Sequence, residues 1–314
     1  MPTSAPRRTR TTSPEVPVLP VPLTAAPSDP PAHHVRVALD TRLRAMLRYA
    51  PGTRTGEDIE DLHQMRVSVR RMRAALKAAR PLLDAAWADG LRAELGWLGG
   101  ALGPVRDLDV LLLRLREEIA ELPEQERAAG EELVAGLETE REAARARMLA
   151  ALDAPRYTAL VERLVDAVRL PLPTPSATDT APELVDLVRA EARKLRKAVE
   201  KAGPEPPDAV LHEIRILGKR VRYTGELVEP ALGKPVRRLL KATAGFQEVL
   251  GDHQDACVAE HRIRELLDGL GELPDAHVVF VAGRLVERER TRAQEKRAQW
   301  WAAWEQVRGR IEAL

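Results

Sequence analysis

Apolar side chains recur at steps of three and four residues through most of the chain after residue 32, which is the spacing of one face of an α-helix. One such stripe, with a single longer step, is made by Leu62, Met65, Val69, Met72, Leu76 and Leu83. Ala, Leu, Arg and Glu dominate these segments, while Phe, Tyr and Ile are scarce, so strands are disfavoured. The pattern predicts an all-α fold.

Helix ends are predicted from Gly and Pro, which terminate helices. Breaks are expected at the Gly103-Pro104 and Gly203-Pro204 pairs and at Gly233, Gly251 and Pro274. The eleven helices that result span residues 33–49, 58–80, 84–102, 105–121, 124–152, 156–169, 183–201, 207–228, 234–250, 254–270 and 275–312.

Two segments are predicted to lie outside the helical bundles. Residues 1–31 hold nine prolines with many Ser and Thr, so they cannot bury enough apolar surface to offset chain entropy, and we expect a disordered tail. Residues 171–182 carry four prolines and indicate a linker. The folded domain then covers residues 32–314, with one bundle at 33–170 and a second at 183–314.

An internal repeat organises the folded part. HQMRVSVRRMR begins at His63, and HEIRILGKRVR begins at His212, 149 residues later. Downstream, LGPVRDLDV begins at Leu102 and LGDHQDACV begins at Leu250, at an offset of 148 residues. The near-constant offset predicts two similar helical bundles that face each other across a pseudo-twofold axis.

A basic stripe lies beside the apolar stripe of each repeated helix. Its residues follow the apolar ones by one position, and one position along a helix is a rotation of about 100°. Solvated helix faces usually mix charges, since like charges one turn apart are destabilising. An uncompensated stripe that occurs twice therefore indicates that an extended polyanion binds there. The members, called the basic columns below, are His63, Arg66, Arg70, Arg73 and Lys77 in the first half and His212, Arg215, Lys219 and Arg222 in the second.

Composition restricts the alternatives. Lys and Arg (49) nearly balance Asp and Glu (48), so an anion site must come from local clustering rather than from net charge. The single cysteine, Cys257, excludes a disulfide framework and a cysteine zinc cluster. No apolar run approaches the roughly 20 residues of a membrane span, and prolines interrupt VPVLPVPL, unlike a secretory signal. We expect a cytoplasmic protein that does not contact membranes.

The motif H-x-[M/I]-R-x-x-x-[R/K]-R-x-R, followed about forty residues later by L-G-x-x-x-D and then duplicated, resembles the CHAD domain, the conserved histidine α-helical domain. The resemblance covers about residues 33–314. It implies two antiparallel helical bundles with a central basic pore, inorganic polyphosphate as the partner, and the basic columns as its binding residues. Association with polyphosphate granules would follow. The duplication is imperfect, because Glu226, Gln254 and Cys257 replace Lys77, Arg106 and Asp109.

Enzyme motifs are absent from the sequence. It contains no G-x-x-x-x-G-K-[S/T], H-E-x-x-H or G-x-S-x-G, nor the E-x-E-x-K of the CYTH triphosphatases to which CHAD domains are sometimes fused. We therefore predict no catalytic activity and no cofactor. Asp107 and Asp255 are interpreted as ion pairs or caps that orient the arginines. A metal site built from His63, His212, His253 and a nearby Asp lacks local ligand spacing, so no metal ligand is predicted.

Two other functions remain open. A nucleic-acid-binding protein, or one that binds another polyanion, is the main alternative, because phosphate clamps look alike in sequence. Stacking platforms for bases require aromatic side chains, and only Tyr223 lies at the edge of a column. A metal-dependent phosphohydrolase is a third and weaker hypothesis.

The last predicted helix carries a tryptophan cluster, Trp300, Trp301 and Trp304. We interpret it as core or as a contact between helices, whereas exposure would indicate a homodimer or granule contact. Arg292 and Arg297 of the same helix are expected to be ordinary solvated charges.

Overall fold

The computed structural model describes residues 19–174 and 183–314, and within them the chain forms nine α-helices and no strand. A short 3-10 turn, Arg80–Leu82, separates the second and third helices. The all-α prediction is confirmed. The helices are α1 (Pro31–Thr55), α2 (Ile59–Ala78), α3 (Ala85–Ala120), α4 (Glu124–Asp153), α5 (Pro155–Arg169), α6 (Leu184–Ala202), α7 (Asp208–Leu232), α8 (Lys234–Asp268) and α9 (Ala276–Ile311).

Neighbouring helices pack in the same order in both halves, α1 to α4 in the first and α6 to α9 in the second. Their short connections make consecutive helices antiparallel. α5 packs on α1, and the described part of the second half contains no equivalent helix. The halves meet where α2 contacts α7 and where α4 contacts α9. This order of contacts agrees with the sequence repeat, while the symmetry axis and the pore remain predictions.

The apolar interior is divided into two cores. The larger core is formed by α1, α2, α5, α6 and α7 together with one end each of α3, α4, α8 and α9, and it includes Leu39, Met65 and Ile214. The smaller core lies between the far parts of α3, α4, α8 and α9, and includes Leu115, Leu133 and Ile263. The long helices α3, α4, α8 and α9 therefore contribute side chains to both cores.

Two predicted helix breaks are wrong. α3 continues through Gly103-Pro104, and α8 continues through Gly251. A proline inside a helix costs about 3 kcal/mol. Leu102 and Val105, on either side of that pair, are fully buried, and burying such a side chain contributes about 1.5–3 kcal/mol. Tertiary packing of the whole helix face therefore outweighs the local preference for a break.

The breaks predicted at the other positions are confirmed. Gly203 ends α6 with φ of 68°, and Gly233 ends α7 with φ of 65°, a backbone conformation that L side chains rarely adopt. Pro274 lies in the connection between α8 and α9.

The proline-rich tail differs from its prediction over its last residues. Leu19 and Leu23 pack against the large core, and the Leu23 amide donates to Asp40 at 2.9 Å. Residues 1–18, the rest of the predicted tail, lie outside the described residues. In the predicted linker, Leu172 is buried and the Pro173 carbonyl accepts from the Asp84 amide at 2.8 Å, whereas residues 175–182 lie outside the described residues.

The tryptophan cluster of α9 belongs to the core. Trp300 and Trp304 are each 2% exposed, and the Trp304 ring lies 6.1 Å from that of Phe246. The expectation for the arginines of α9 is wrong, because Arg292 pairs with the buried Glu118 and Arg297 pairs with Asp208. Both arginines fix α9 to other helices rather than extending into solvent.

Candidate functional site

The two basic columns lie on helices that touch each other. α2 carries the first column and α7 the second, and Arg71 of α2 pairs with Glu226 of α7 at 3.1 Å. The Arg70 guanidinium lies 5.8 Å from the centre of the Tyr223 ring. The contacts place both columns at the junction between the two halves of the molecule.

An aspartate pairs with the first arginine of each column. Arg66 pairs with Asp107 of α3 at 3.0 Å, and Arg215 pairs with Asp255 of α8 at 3.9 Å. The interpretation of these aspartates as ion-pair partners is confirmed. A guanidinium has five N–H donors, and each carboxylate can accept from only some of them. The remaining donors are available to a ligand.

The two column histidines are held differently. Arg106 can only donate, so its Nε–H donates to Nδ1 of His63 at 3.2 Å, and the neutral ring then carries its proton on Nε2. Burial, with Arg106, Arg70 and Arg66 nearby, lowers the pKa of His63. In the second half, Nδ1 of His212 donates to Oε1 of Gln254 at 2.7 Å. Because Gln254 stands where the first half has Arg106, the histidine Nδ1 accepts a hydrogen bond in the first half and donates one in the second.

Positive charge accumulates around Lys219. Burial, together with Arg215, Arg70 and Arg66, lowers its pKa to about 8, although Asp255 opposes the shift. Burial also lowers the pKa of Arg215, with Arg70 contributing. Cations of the two halves therefore repel one another within a partly desolvated region, and a bound anion would relieve that repulsion.

Several guanidinium donors near this junction are buried without an acceptor. They are Nε of Arg70, Nη1 of Arg106 and Nε of Arg215, none of which has a hydrogen-bond partner in the described part of the chain. A buried donor without a partner costs roughly 1–3 kcal/mol. Oxygen atoms of an anion could satisfy such donors.

The predicted site residues are not equivalent in the structure. The half-buried cations of the columns are Arg66, Arg70, Arg215, Lys219 and Arg222, accompanied by the half-buried His63 and His212. Arg73 and Lys77 are exposed at the end of the first column. Partial desolvation of the Lys77 ammonium group, with Arg220 nearby, lowers its pKa although the side chain is exposed to solvent. Arg222 is paired with Glu226 at 3.2 Å.

Arg106 is the cation that the sequence analysis did not assign to the site. Its sequence signal is its place in the LGPVRDLDV segment, one residue before Asp107. The first half therefore adds a cation from α3 that the second half lacks.

A separate group of possible metal ligands lies at the start of α7. Asp208, His253 and Cys257 present donor atoms within 4.8 Å of one another. Burial, with Asp208 and Glu260 nearby, raises the pKa of Cys257 to about 11. The sequence signal for this group is the spacing of four residues between His253 and Cys257, which places both on one face of α8. The three-histidine arrangement differs from it, since His63 and His212 contact Arg106 and Gln254.

The fold and this junction define an internally repeated helical domain that presents a basic helix from each half. The chain belongs to the CHAD domain family, which it matches over residues 37–264. None of the helices in the described ranges combines the length and hydropathy that a membrane crossing requires.

Among curated proteins, the chain is 31% identical over 284 residues to Uncharacterized protein MT2285 and to Uncharacterized protein Rv2226, both of Mycobacterium tuberculosis. The match covers 87% of this chain and 53% of each relative, so the chain spans about half the length of the curated relatives it matches.

Two solved structures are similar to this fold. The CHAD domain of the plant Ricinus communis is 28% identical with a TM-score of 0.68, and the match covers 95% of this chain and 97% of that one. PptA from Streptomyces chartreusis is 23% identical with a TM-score of 0.70, over 88% of this chain and 100% of that one. The second likeness is one of fold alone.

Proposed function

We propose that the protein binds inorganic polyphosphate, without hydrolysing it, through the basic columns of α2 and α7. The observation that carries the proposal is the contact between these helices, which brings Lys219 of one half into the field of Arg70 and Arg66 of the other. One linear polyanion can then bind to cations of both halves. Membership of the CHAD family supports the same function.

The chemistry of the columns favours a phosphate chain over isolated anions. Guanidinium groups bind phosphate oxygens through paired N–H donors, and these charge-assisted hydrogen bonds are the stronger ones. Cations that recur along a helix can bind successive units of one chain. Polyphosphate has one charge per phosphorus and no sugar or base, so it fits a partly buried row of donors with less steric conflict than a nucleic acid does.

The non-catalytic part of the proposal rests on the partners of the nearby carboxylates. Asp107 and Asp255 are paired with column arginines, and such pairing orients guanidinium groups rather than a reacting water. We therefore assign both aspartates to positioning, and we expect the protein to belong to the cytoplasm and to polyphosphate granules.

A competition assay tests the ligand class. Labelled long-chain polyphosphate is bound to the full chain at physiological salt and displaced by unlabelled polyphosphate, single-stranded DNA, RNA, ATP or heparin. We expect polyphosphate to displace the label at the lowest concentration, with an affinity that falls steeply with salt because counterions are released. Equal or tighter binding of DNA or RNA would replace this proposal with nucleic-acid binding.

A phosphate-release assay tests the absence of catalysis. Purified protein with Mg²⁺ should release no phosphate from polyphosphate or triphosphate above the rate without protein. Asp107→Asn and Asp255→Asn are the variants to compare. Release that both substitutions abolish would show that these aspartates are catalytic.

A further inference from the structure

Three side chains with different metal-binding atoms converge beside the first turn of α7. Asp208 is the first residue of α7, and His253 and Cys257 lie one turn apart on α8. Oδ1 of Asp208 lies 3.2 Å from Nε2 of His253, which lies 3.8 Å from Sγ of Cys257. All three donor atoms fall within 4.8 Å of one another.

We propose that Asp208, His253 and Cys257 form a binding site for one Zn²⁺-class transition-metal ion. Zinc binds Cys sulfur at about 2.3 Å, His nitrogen at about 2.0 Å and carboxylate oxygen at about 2.1 Å, usually with tetrahedral geometry. Such an ion separates N from O by about 3.4 Å and S from N by about 3.5 Å. The observed separations of 3.2 Å from O to N and 3.8 Å from N to S differ from these values by only a few tenths of an ångström, and the O and S atoms lie within 4.8 Å of each other. A water molecule would supply the fourth ligand.

The carboxylate and the imidazole are held in place by their surroundings. Arg297 of α9 donates to Asp208 and to the Pro206 carbonyl, and the Trp300 indole N–H donates to the Pro204 carbonyl at 3.0 Å. The His253 ring is 2% exposed. Nη1 of Arg297 donates to Oδ1 of Asp208, the same oxygen that faces His253, so this hydrogen bond orients the carboxylate toward the imidazole.

The site is specific to the second half of the repeat. Cys257 aligns with Asp109, which is paired with Arg141 in the first half. His253 aligns with the buried apolar residue Val105. The equivalent position therefore holds an ion-paired aspartate in the first half, and a cysteine among possible metal ligands in the second.

The proposed site also adjoins the second basic column. Gln254 and Asp255, which contact His212 and Arg215, lie between His253 and Cys257 on α8. The metal site is independent of the proposed polyphosphate function, because it uses none of the column residues. Binding requires the Cys257 thiol to lose its proton to solvent, so the protein should release one proton from sulfur as the metal binds.

Cobalt spectroscopy tests the site directly, because the chain has one cysteine and any cobalt–thiolate signal must come from Cys257. The chelator-treated full chain is titrated with Co²⁺. We expect a sulfur-to-cobalt charge-transfer band in the near ultraviolet that saturates at one ion per chain and disappears when Zn²⁺ is added. Zn²⁺ should also slow the reaction of the thiol with a disulfide reagent.

The variants separate this site from metal bound elsewhere. Cys257→Ser should lose the band. His253→Gln removes a direct ligand, so it should weaken Co²⁺ binding by at least the roughly 10-fold to 100-fold that loss of an outer-shell partner costs. His261→Gln is the matched control, since His261 pairs with Glu265 one turn away on the same helix but is exposed. The control should bind as the parent does. Circular dichroism verifies that each variant is folded.

Two outcomes would overturn the proposal. In the first, the folded parent chain binds Co²⁺ without a charge-transfer band, which would place the metal on carboxylates or imidazoles outside the site. In the second, the band appears but His253→Gln leaves both the band and the affinity unchanged, which would leave a thiolate adduct without the proposed ligand set.

Discussion

At the scale of single residues, Lys219 is the most sensitive indicator of whether an anion occupies the junction. Its ammonium group is half-buried and surrounded by Arg215, Arg70 and Arg66, with Asp255 as the opposing charge. In the free protein its pKa is about 8, compared with 10.5 for the unperturbed group. A polyanion stabilises the charged form, so binding raises this pKa and the protein takes up a proton whenever Lys219 was neutral.

The sign of the pH dependence follows from this shift. At least one pH unit below 8, Lys219 is almost fully charged before and after binding, so its contribution to affinity is constant there. As the pH rises above about 8 the free protein loses that proton, and the affinity for polyphosphate should fall by up to roughly tenfold per pH unit. Binding isotherms between pH 7 and pH 10 measure the effect.

The matched control is Lys219→Arg, which keeps its charge throughout this range and should give a flat profile. An unchanged decline in Lys219→Arg would assign the pH dependence to another group and would remove Lys219 from the site.

At the scale of elements, the close approach of α7 and α8 positions the second column. A Cβ atom added at Gly218 would lie 2.6 Å from Nε2 of Gln247 and 3.0 Å from the Phe246 ring. The same Gln247 amide donates to the Arg215 carbonyl at 3.1 Å. Gly218 therefore lets α7 rest on α8 at the residue next to Lys219.

Gly218→Ala should destabilise the protein although alanine favours helices. Overpacking costs roughly 1–3 kcal/mol, which exceeds the gain of about 1 kcal/mol in helix propensity. Gly245→Ala on α8 is the matched control, because nothing lies within 4 Å of its added Cβ. Thermal unfolding should give a lower Tm for the first variant and an equal or higher Tm for the second. A rise in Tm for both would mean that the contact between α7 and α8 adjusts without cost.

At the scale of the whole molecule, the proposal requires both halves to bind one ligand. Two binding surfaces joined in one body act at a high effective concentration, so the loss of either weakens the whole. This distinguishes a shared site from two independent surface sites, which would each keep their own affinity. The contact between α2 and α7 is the structural basis for expecting the shared site.

Removal of either column should therefore weaken polyphosphate binding severely. Each charge-assisted contact contributes roughly 1.5–3 kcal/mol, so Arg66→Ala with Arg70→Ala should cost at least about tenfold, and Arg215→Ala with Lys219→Ala should cost the same. Equilibrium binding at fixed salt measures the effect. Full affinity after removal of one column would refute the shared site.

The control for charge alone is the pair Arg147→Ala with Arg238→Ala. These residues lie on α4 and α8, are exposed, and contact no acid in the described ranges. We expect their removal to change the affinity only slightly. Arg292 and Arg297 are unsuitable controls, because they hold α9 to Glu118 and Asp208. Circular dichroism should show unchanged helicity, since the apolar stripe beside each column remains intact.

The sequence by itself determined the helical class, the repeat and the two basic columns. These features are local, because a stripe at steps of three and four residues and a motif at constant offset depend only on residue order. The pairing of Arg66 with Asp107 and of Arg215 with Asp255 could also be predicted from the sequence. The arginine recurs after 149 residues and the aspartate after 148, so both partners are present in each half.

Only the tertiary structure decided which local signals prevail. Burial of the faces of α3 and α8 carried both helices through the predicted breaks, and the fixed positions of α8 and α9 gave Arg292 and Arg297 acidic partners. The lowered pKa of Lys219 and the meeting of Asp208 with His253 and Cys257 depend on distances between helices that lie far apart in sequence. Such distances are set by packing of the whole chain, which no periodicity within one helix specifies.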